Sequence, residues 1–340
     1  MMARQQAVGQ RSAVIVRRYG VIVAFVVLCI LVASLCQYQV IRGEWSENSF
    51  ITPDNLMLIL YQISINGILA VGMTFVIITG GIDLSVGSVL AFAGMLAASF
   101  ATRSTTVTPW SGVYVLAVPL VAALLAGLAC GWLNGWIIAH FNLQPFIVTL
   151  GMLLAARGFT MTLTGANPIS ALSPAFRWFG TGKVLGEVPI PVVIFVVVFA
   201  ACWVLLNKTI FGRYVYAVGG NEKSARTSGI KTHRVKIYVY ALAGLLAGIA
   251  GIILSAKTGS GQTNAGASYE LDAIAAAAIG GTSLAGGVGT LSGTLFGALI
   301  MGVMNNGLDI LGVESFYQSI IKGALIVTAV IIDPSRKRAA

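Results

Sequence analysis

Five ionisable side chains sit where an apolar chain has least reason to put them. Asp83, Arg157, Glu270, Asp272 and Lys322 each lie inside, or at the mouth of, a long hydrophobic run. Five amides share that setting: Gln62, Asn66, Asn305, Asn306 and Gln318. A carboxylate in such a place either caps free backbone amides at a helix start or takes part in a transport path. A cation near the middle of an apolar helix, as Arg157 is, costs roughly 3 kcal/mol on insertion scales and must face a partner or water. Lys322 lies nearer the end of its run, where it either snorkels to the interface or finds a partner. The amides glue helices together or line a path for a hydroxylated solute. Residue type leaves both readings open.

Two of the acids share a local pattern. "GIDLSVGSVLAFAG" and "SYELDAIAAAAIGG" both read acid, Leu, polar residue, then a helix of small apolar residues: Asp83-Leu84-Ser85 and Glu270-Leu271-Asp272. Each triplet has the chemistry of a helix start, where a side-chain oxygen meets unpaired N–H groups and the positive end of the helix dipole. The expectation for Asp83 is that it starts the third helix near the cytoplasmic face. The two triplets lie five spans apart, so they would be related by inversion, a plan common among transporters with broken helices.

The elements that must position these residues are membrane helices. The 340-residue chain is 57% hydrophobic and 9% charged, whereas a soluble chain carries about a quarter charged residues. The apolar runs are continuous rather than alternating, which argues against a barrel. Spans are expected near 19–38, 56–79, 83–101, 113–139, 146–164, 189–206, 237–255, 269–285, 289–308 and 316–332, within one transmembrane domain covering 1–340. The eighth is short for a crossing, and the glycines after it suggest a broken or re-entrant segment. Gly-x-x-x-Gly pairs at 127/131, 131/135, 244/248, 289/293 and 293/297 predict close helix packing.

Charge then orients the chain. One side collects fourteen Lys and Arg: Arg4, Arg11, Arg17, Arg18, Lys208, Arg213, Lys223, Arg226, Lys231, Arg234, Lys236, Arg336, Lys337 and Arg338. The other holds five: Arg42, Arg103, Arg177, Lys183 and Lys257. The positive-inside rule places both termini in the cytoplasm, with tails at 1–18 and 333–340. It also accounts for the net charge of +10, so nucleic acid is not an expected partner. Cys29, Cys36, Cys130 and Cys202 lie in apolar runs and form no C-x-x-C pair. With only His140 and His233 besides, no metal site is legible.

The longest cytoplasmic connection, 207–236, contains Asn221 before a short helix Glu222 to Ser228 and Gly229 after it, a cap at each end. A capped surface helix between two spans suggests a docking element. "GIILSAKT" (Gly251 to Thr258) approaches a phosphate loop, but Ala256 replaces the required second glycine. No nucleotide site of the chain's own is therefore expected.

"TGGIDLSVGSVLA", "FGRYVYAVGGNEKSARTSGI", "YELDAIAAAAIGGTSLAGGVGT" and "MNNGLDILGVESFYQSIIKG" together resemble the permease subunit of ribose-type monosaccharide ABC importers, from about residue 50 to 333. The resemblance implies an all-α polytopic protein of the bacterial inner membrane. Its expected fold has about ten helices and is related to the vitamin B12-importer permeases. It implies a pair of permease copies, cytoplasmic ATPase subunits that use ATP and magnesium, and a periplasmic sugar-binding protein, with no cofactor in this chain. It also makes Gly219 to Ile230 the coupling helix, including Gly219, Gly220, Asn221, Glu222, Ser224, Ala225, Arg226, Gly229 and Ile230. Two rivals remain: an ion-coupled secondary carrier, which would want paired intramembrane carboxylates or a proton relay, and an intramembrane enzyme, for which no nucleophile–base pairing is visible.

Overall fold

The computed structural model describes residues 2–102, 111–184 and 186–332. Arg103 and the segment 333–340, with its three basic residues, lie outside them. The regular structure of the described residues is helical apart from one two-stranded ribbon, with α1 at Met2–Ile41, α2 at Pro53–Ile78, α3 at Val86–Ala101 and α4 at Ser111–Phe141. There follow α5 at Pro145–Thr162, α6 at Pro174–Thr181, β1 at Lys183–Val184, β2 at Val188–Pro189 and α7 at Ile190–Lys208. Then come α8 at Ile210–Gly220, α9 at Glu222–Thr227, α10 at Thr232–Thr258, α11 at Tyr269–Ile279, α12 at Leu291–Ile310 and α13 at Ser315–Ile332. The starts follow from local chemistry. Thr52 caps α2 ahead of Pro53, Ser173 caps α6 ahead of Pro174, and Thr290 caps α12 by accepting from Gly293 N, since proline at the first helical position has no N–H to leave unpaired.

Among the described residues seven helices are long and apolar enough to cross a membrane, namely parts of α1, α2, α4, α5, α7, α10 and α12. The chain is an all-α polytopic membrane protein. α2, α10 and α12 are its most buried spans. α10 packs along α4 through the predicted glycine pairs: a methyl at Gly127 or Gly131 would strike the backbone at Gly244, and one at Gly248 would lie 2.8 Å from the Ala123 carbonyl. The pair at 293/297 does likewise, Gly293 and Gly297 meeting the backbone at Gly280 and Ala276 at the end of α11. These contacts are steric, and only hydrogen side chains permit them.

Four segments take a form that the sequence did not announce. α11 has eleven residues, about 16 Å of helix against a hydrocarbon core of about 30 Å. By itself it is too short to span, and 280–290 is irregular instead of completing the expected helix 269–285. Residues 2–18, read as a tail, continue into the first span as α1. The connection 207–236 is mostly ordered helix, since α8 begins one residue after α7, where Thr209 accepts from Gly212 N. The segment between α5 and α7 holds α6 and the short ribbon, which no apolar periodicity announced.

Candidate functional site

The two acid-Leu-polar triplets, nearly two hundred residues apart, meet in space. α3 and α10 run alongside one another, with Tyr240 against Gly81 and Gly251 against Gly94. After α10 the chain turns at Gly259, pairs with Ile169 at Gly261, then runs back into the bundle. At Gly266 it lies against Gly87, where an added methyl would collide with the Gly266 carbonyl oxygen and with Glu270 Oε2. α11 therefore starts inside the bundle, beside the first turn of α3. Irregular backbone at membrane depth is tolerated where it is packed in protein or lines a water-filled cavity; Gly266 is packed against Gly87, whereas Gln262, Asn264, Ala267 and Ser268 are exposed.

The acids are satisfied in different ways. Asp83 is buried, and its Oδ1 accepts from Ser85 N at 2.8 Å and Ser85 Oγ at 2.6 Å. Ser85 Oγ in turn accepts from Asn134 Nδ2 of α4 at 2.9 Å. The helix begins only at Val86, with Ser85 at its cap position and no side-chain bond to the helix amides. Asp83 thus organises the turn before the helix rather than capping the helix itself. Asp272, in the first turn of α11, is buried, with Lys322 Nζ of α13 3.3 Å from both its oxygens. Lys322 is paired, which resolves its two readings. Glu270 makes no direct ion pair among the described residues but lies within the field of Arg157. The Arg157 guanidinium donates through Nη1 to the carbonyls of Thr263 and Ala265. A cation predicted to need a partner holds the re-entrant segment by its backbone.

The amides divide. Asn306 and Asn55 exchange both side-chain hydrogen bonds, at 2.7 and 3.0 Å, which fixes α12 to the start of α2. Gln318 donates to Asp309 Oδ1 and the Val313 carbonyl across the α12–α13 turn. Asn66 and Asn305 each bury a side-chain oxygen with no partner, and Gln62 lies half-buried on α2. Asn134, on α4, was overlooked, although it is polar in an apolar span and the criterion that selected Asn66 would have found it. Tyr240 could not have been found that way, because a tyrosine in a span reads as interface or core.

The second constellation lies at the α9 end. Asn221 Oδ1 accepts from Ser224 N at 2.9 Å, and after the helix Gly229 N reaches Arg226 O while Ile230 N reaches Ala225 O, both at 3.0 Å. Gly229 takes φ +86°, the left-handed position that this C-terminal motif assigns to glycine. Lys223, Ser224 and Thr227 are exposed, whereas Ala225 is buried against the bundle. Glu222 bridges Arg226 and Lys236, with Lys236 Nζ at 2.7 Å. Burial pushes its carboxyl up, but Lys236, Thr232 and Arg226 together outweigh that and hold it below the usual carboxylate range.

Behind α9, glycines form a three-way junction. A methyl at Gly219 would strike the Ile78 carbonyl at the end of α2, and would come 2.7 Å from Gly287 N. Gly287 N donates to that same carbonyl at 2.8 Å. Gly286 lies against Gly80, and Gly287 against Gly220. The end of α8, the turn leading to α3 and the turn following α11 therefore touch backbone to backbone. Tyr216 Oη of α8 also donates to Gly289 O at 2.8 Å. Displacement of α8 must move both turns, because packing this close has no slack.

Residues 55–330 match the family model described as branched-chain amino acid transport system / permease component. The chain belongs to this permease family. It is 51% identical over 294 residues to the ribose import permease protein of Escherichia coli K12, covering 85% of this chain and 88% of that one. It is 48% identical over 298 residues to the ribose import permease protein of Bacillus subtilis 168, covering 86% and 88%. The xylose transport system permease protein of Escherichia coli K12 is 34% identical over 369 residues, covering 91% and 92%. No solved structure matches. This permease is a transport subunit and not itself an enzyme, a multi-pass protein of the inner membrane.

Proposed function

We propose that this permease passes a monosaccharide, ribose or a close relative, across the bacterial inner membrane within an ATP-binding-cassette importer. The glycine junction carries the reading. A capped helix exposes Lys223, Ser224 and Thr227 at one end of the bundle, and the element behind it is wedged against the roots of both inward-running helices. A cytoplasmic ATPase that seats α9 would push on α8, and through Gly219 and Gly287 on the turns that hold α3 and α11. The ribose and xylose permeases among its relatives support the substrate class, and the basic α9 end supports the orientation with both termini inside. Two copies, two ATPase subunits and a sugar-loaded binding protein complete the assembly in this reading. The chain's fold is that of the ten-helix vitamin B12-type permeases, with α3 and α11 as corresponding parts of two inverted halves. Asn66, Asn305 and Gln62 offer polar atoms to a hydroxylated solute. Weak holding suits a path that must release what it accepts.

The test is reconstitution with a candidate ATPase and binding protein. Hydrolysis should rise only when ribose-loaded binding protein is added. Gly219→Val should retain assembly but lose that stimulation, because a side chain there forces α8 off Ile78. Full stimulation in a well-folded Gly219→Val permease would defeat the junction as the coupling route.

A further inference from the structure

A cleft of about 620 Å³ opens beside α9, between the end of α4 and the start of α10, where Trp136, His140, Arg226, Lys231, Thr232 and His233 line it. It shares Arg226, Gly229 and Ile230 with the proposed coupling element, whereas Trp136, His140, Lys231 and His233 lie outside that element. Its walls carry Arg226, Lys231 and two histidines and no acid. Glu222, the nearest carboxylate in sequence, is occupied by Lys236 and Arg226, and Lys231 has no ion pair among the described residues. The cleft does not end in protein. Trp132, Trp136 and His140 stack as a column on α4, with centroids 6.3 and 5.3 Å apart and planes within 16°. Above them Val121, Leu125, Leu128, Trp132 and Trp136, all exposed, form one apolar stripe at three- and four-residue spacing. From Val121 to Trp136 this stripe runs about 22 Å, more than the roughly 15 Å of one leaflet's hydrocarbon.

A site that joins an anion-seeking cleft to a long exposed apolar stripe matches an amphiphile. A soluble phosphate would leave the stripe unused, and a sugar would leave the cations unused. Basic pockets at the cytoplasmic face are suited to anionic headgroups, and tryptophans collect at headgroup depth. We propose that this cleft binds the headgroup of an anionic phospholipid whose acyl chain lies along α4, fixing the link between α9 and α10. The proposal rests on the α9 end lying at the cytoplasmic membrane face. Its test uses the permease alone, so failure here leaves the ATPase coupling untouched.

The probe is brominated phosphatidylglycerol compared with brominated phosphatidylcholine, added to purified permease in mixed micelles. The protein keeps Trp136 as its only tryptophan, the other five being changed to Phe. Phosphatidylglycerol should half-quench Trp136 at a mole fraction lower by about fivefold per engaged cation. Lys231→Gln should lose about fivefold of that preference, whereas Lys223→Gln, the same charge loss outside the cleft, should leave it unchanged. If the single-tryptophan protein does not fold, native mass spectrometry of lipid retained by wild type, Lys231→Gln and Lys223→Gln makes the same comparison. Equal quenching by both lipids would overturn the site. So would equal losses in the two variants, which mean diffuse surface attraction. Absence of quenching by either lipid would assign this face to a protein neighbour and overturn it as well.

Discussion

The starts of α3 and α11 solve the same problem by different means. Both place an acid at the mouth of a short helix inside the bundle, and both are followed by small residues. At α3 the answer is local, with Asp83 held by the backbone and hydroxyl of Ser85 two residues on, backed by Asn134. At α11 it is distant, since Asp272 depends on Lys322 fifty residues later and the approach to Glu270 depends on Arg157 more than a hundred residues earlier. A turn that carries its own hydrogen bonds is fixed as it folds. One held by remote cations is fixed only when α5 and α13 have packed, so α11 is the end more exposed to displacement by neighbouring helices.

The largest expected effect separates these two cases. Lys322→Leu leaves the Asp272 carboxylate buried and unpaired, which should cost about 3–5 kcal/mol and appear as a sharp drop in thermal stability of the purified permease. The double variant Lys322→Leu with Asp272→Leu should regain most of it. If the double variant is as unstable as the single one, the ion pair is not what holds α11.

Gly87→Ala comes next, because it acts where the two starts touch. The methyl collides with the Gly266 carbonyl, a backbone atom, and overpacking of this kind costs about 1–3 kcal/mol. Gly158→Ala, with nothing within 4 Å of the added carbon, should be harmless. Similar melting temperatures for the two variants would mean that α3 and α11 are not in contact.

Asp83 tests the local solution. Asp83→Ala strands the Ser85 amide and should cost about 1–3 kcal/mol, seen in folded yield and sugar uptake. Asp83→Asn keeps an acceptor oxygen and should keep most transport. An Asn variant that folds normally and carries nothing would turn Asp83 from a turn-former into a titrating group.

The smallest effect lies outside the bundle. Because the Glu222 carboxyl titrates below its ordinary range in the folded protein, its contribution is present at neutral pH and is lost as pH falls through that depressed value. A spin label at Ser224 should become more mobile on acidification below the usual carboxylate range, and in Glu222→Gln it should be mobile at every pH. A pH-independent label in the parent would remove Glu222 as the tether of α9.

The membrane class, most span positions, the capped α9 and the glycine seam between α4 and α10 were legible in the sequence, because each depends on residues close together or on a period. Asn221, Gly229 and the Gly-x-x-x-Gly pairs carry their own geometry. The true length of α11 was only hinted at, since the run from Leu271 to Leu284, interrupted only by Asp272, Thr282 and Ser283, looks alike whether helix or turn follows. Ala225 reads as part of an exposed docking helix, yet it is buried, because which face of a six-residue helix turns inward depends on what lies beneath.

What the sequence by itself determined is the solvent: a chain this apolar, with so few charges, must fold in a bilayer. What only the tertiary structure decided is which partner answers each buried charge. Lys322 to Asp272 and Arg157 to the Thr263 and Ala265 carbonyls are matches across 50 to more than 100 positions of chain. Composition can require such partners because an unpaired charge in hydrocarbon is too costly to keep. It cannot name them, because the cost is relieved by any group that packing brings within reach.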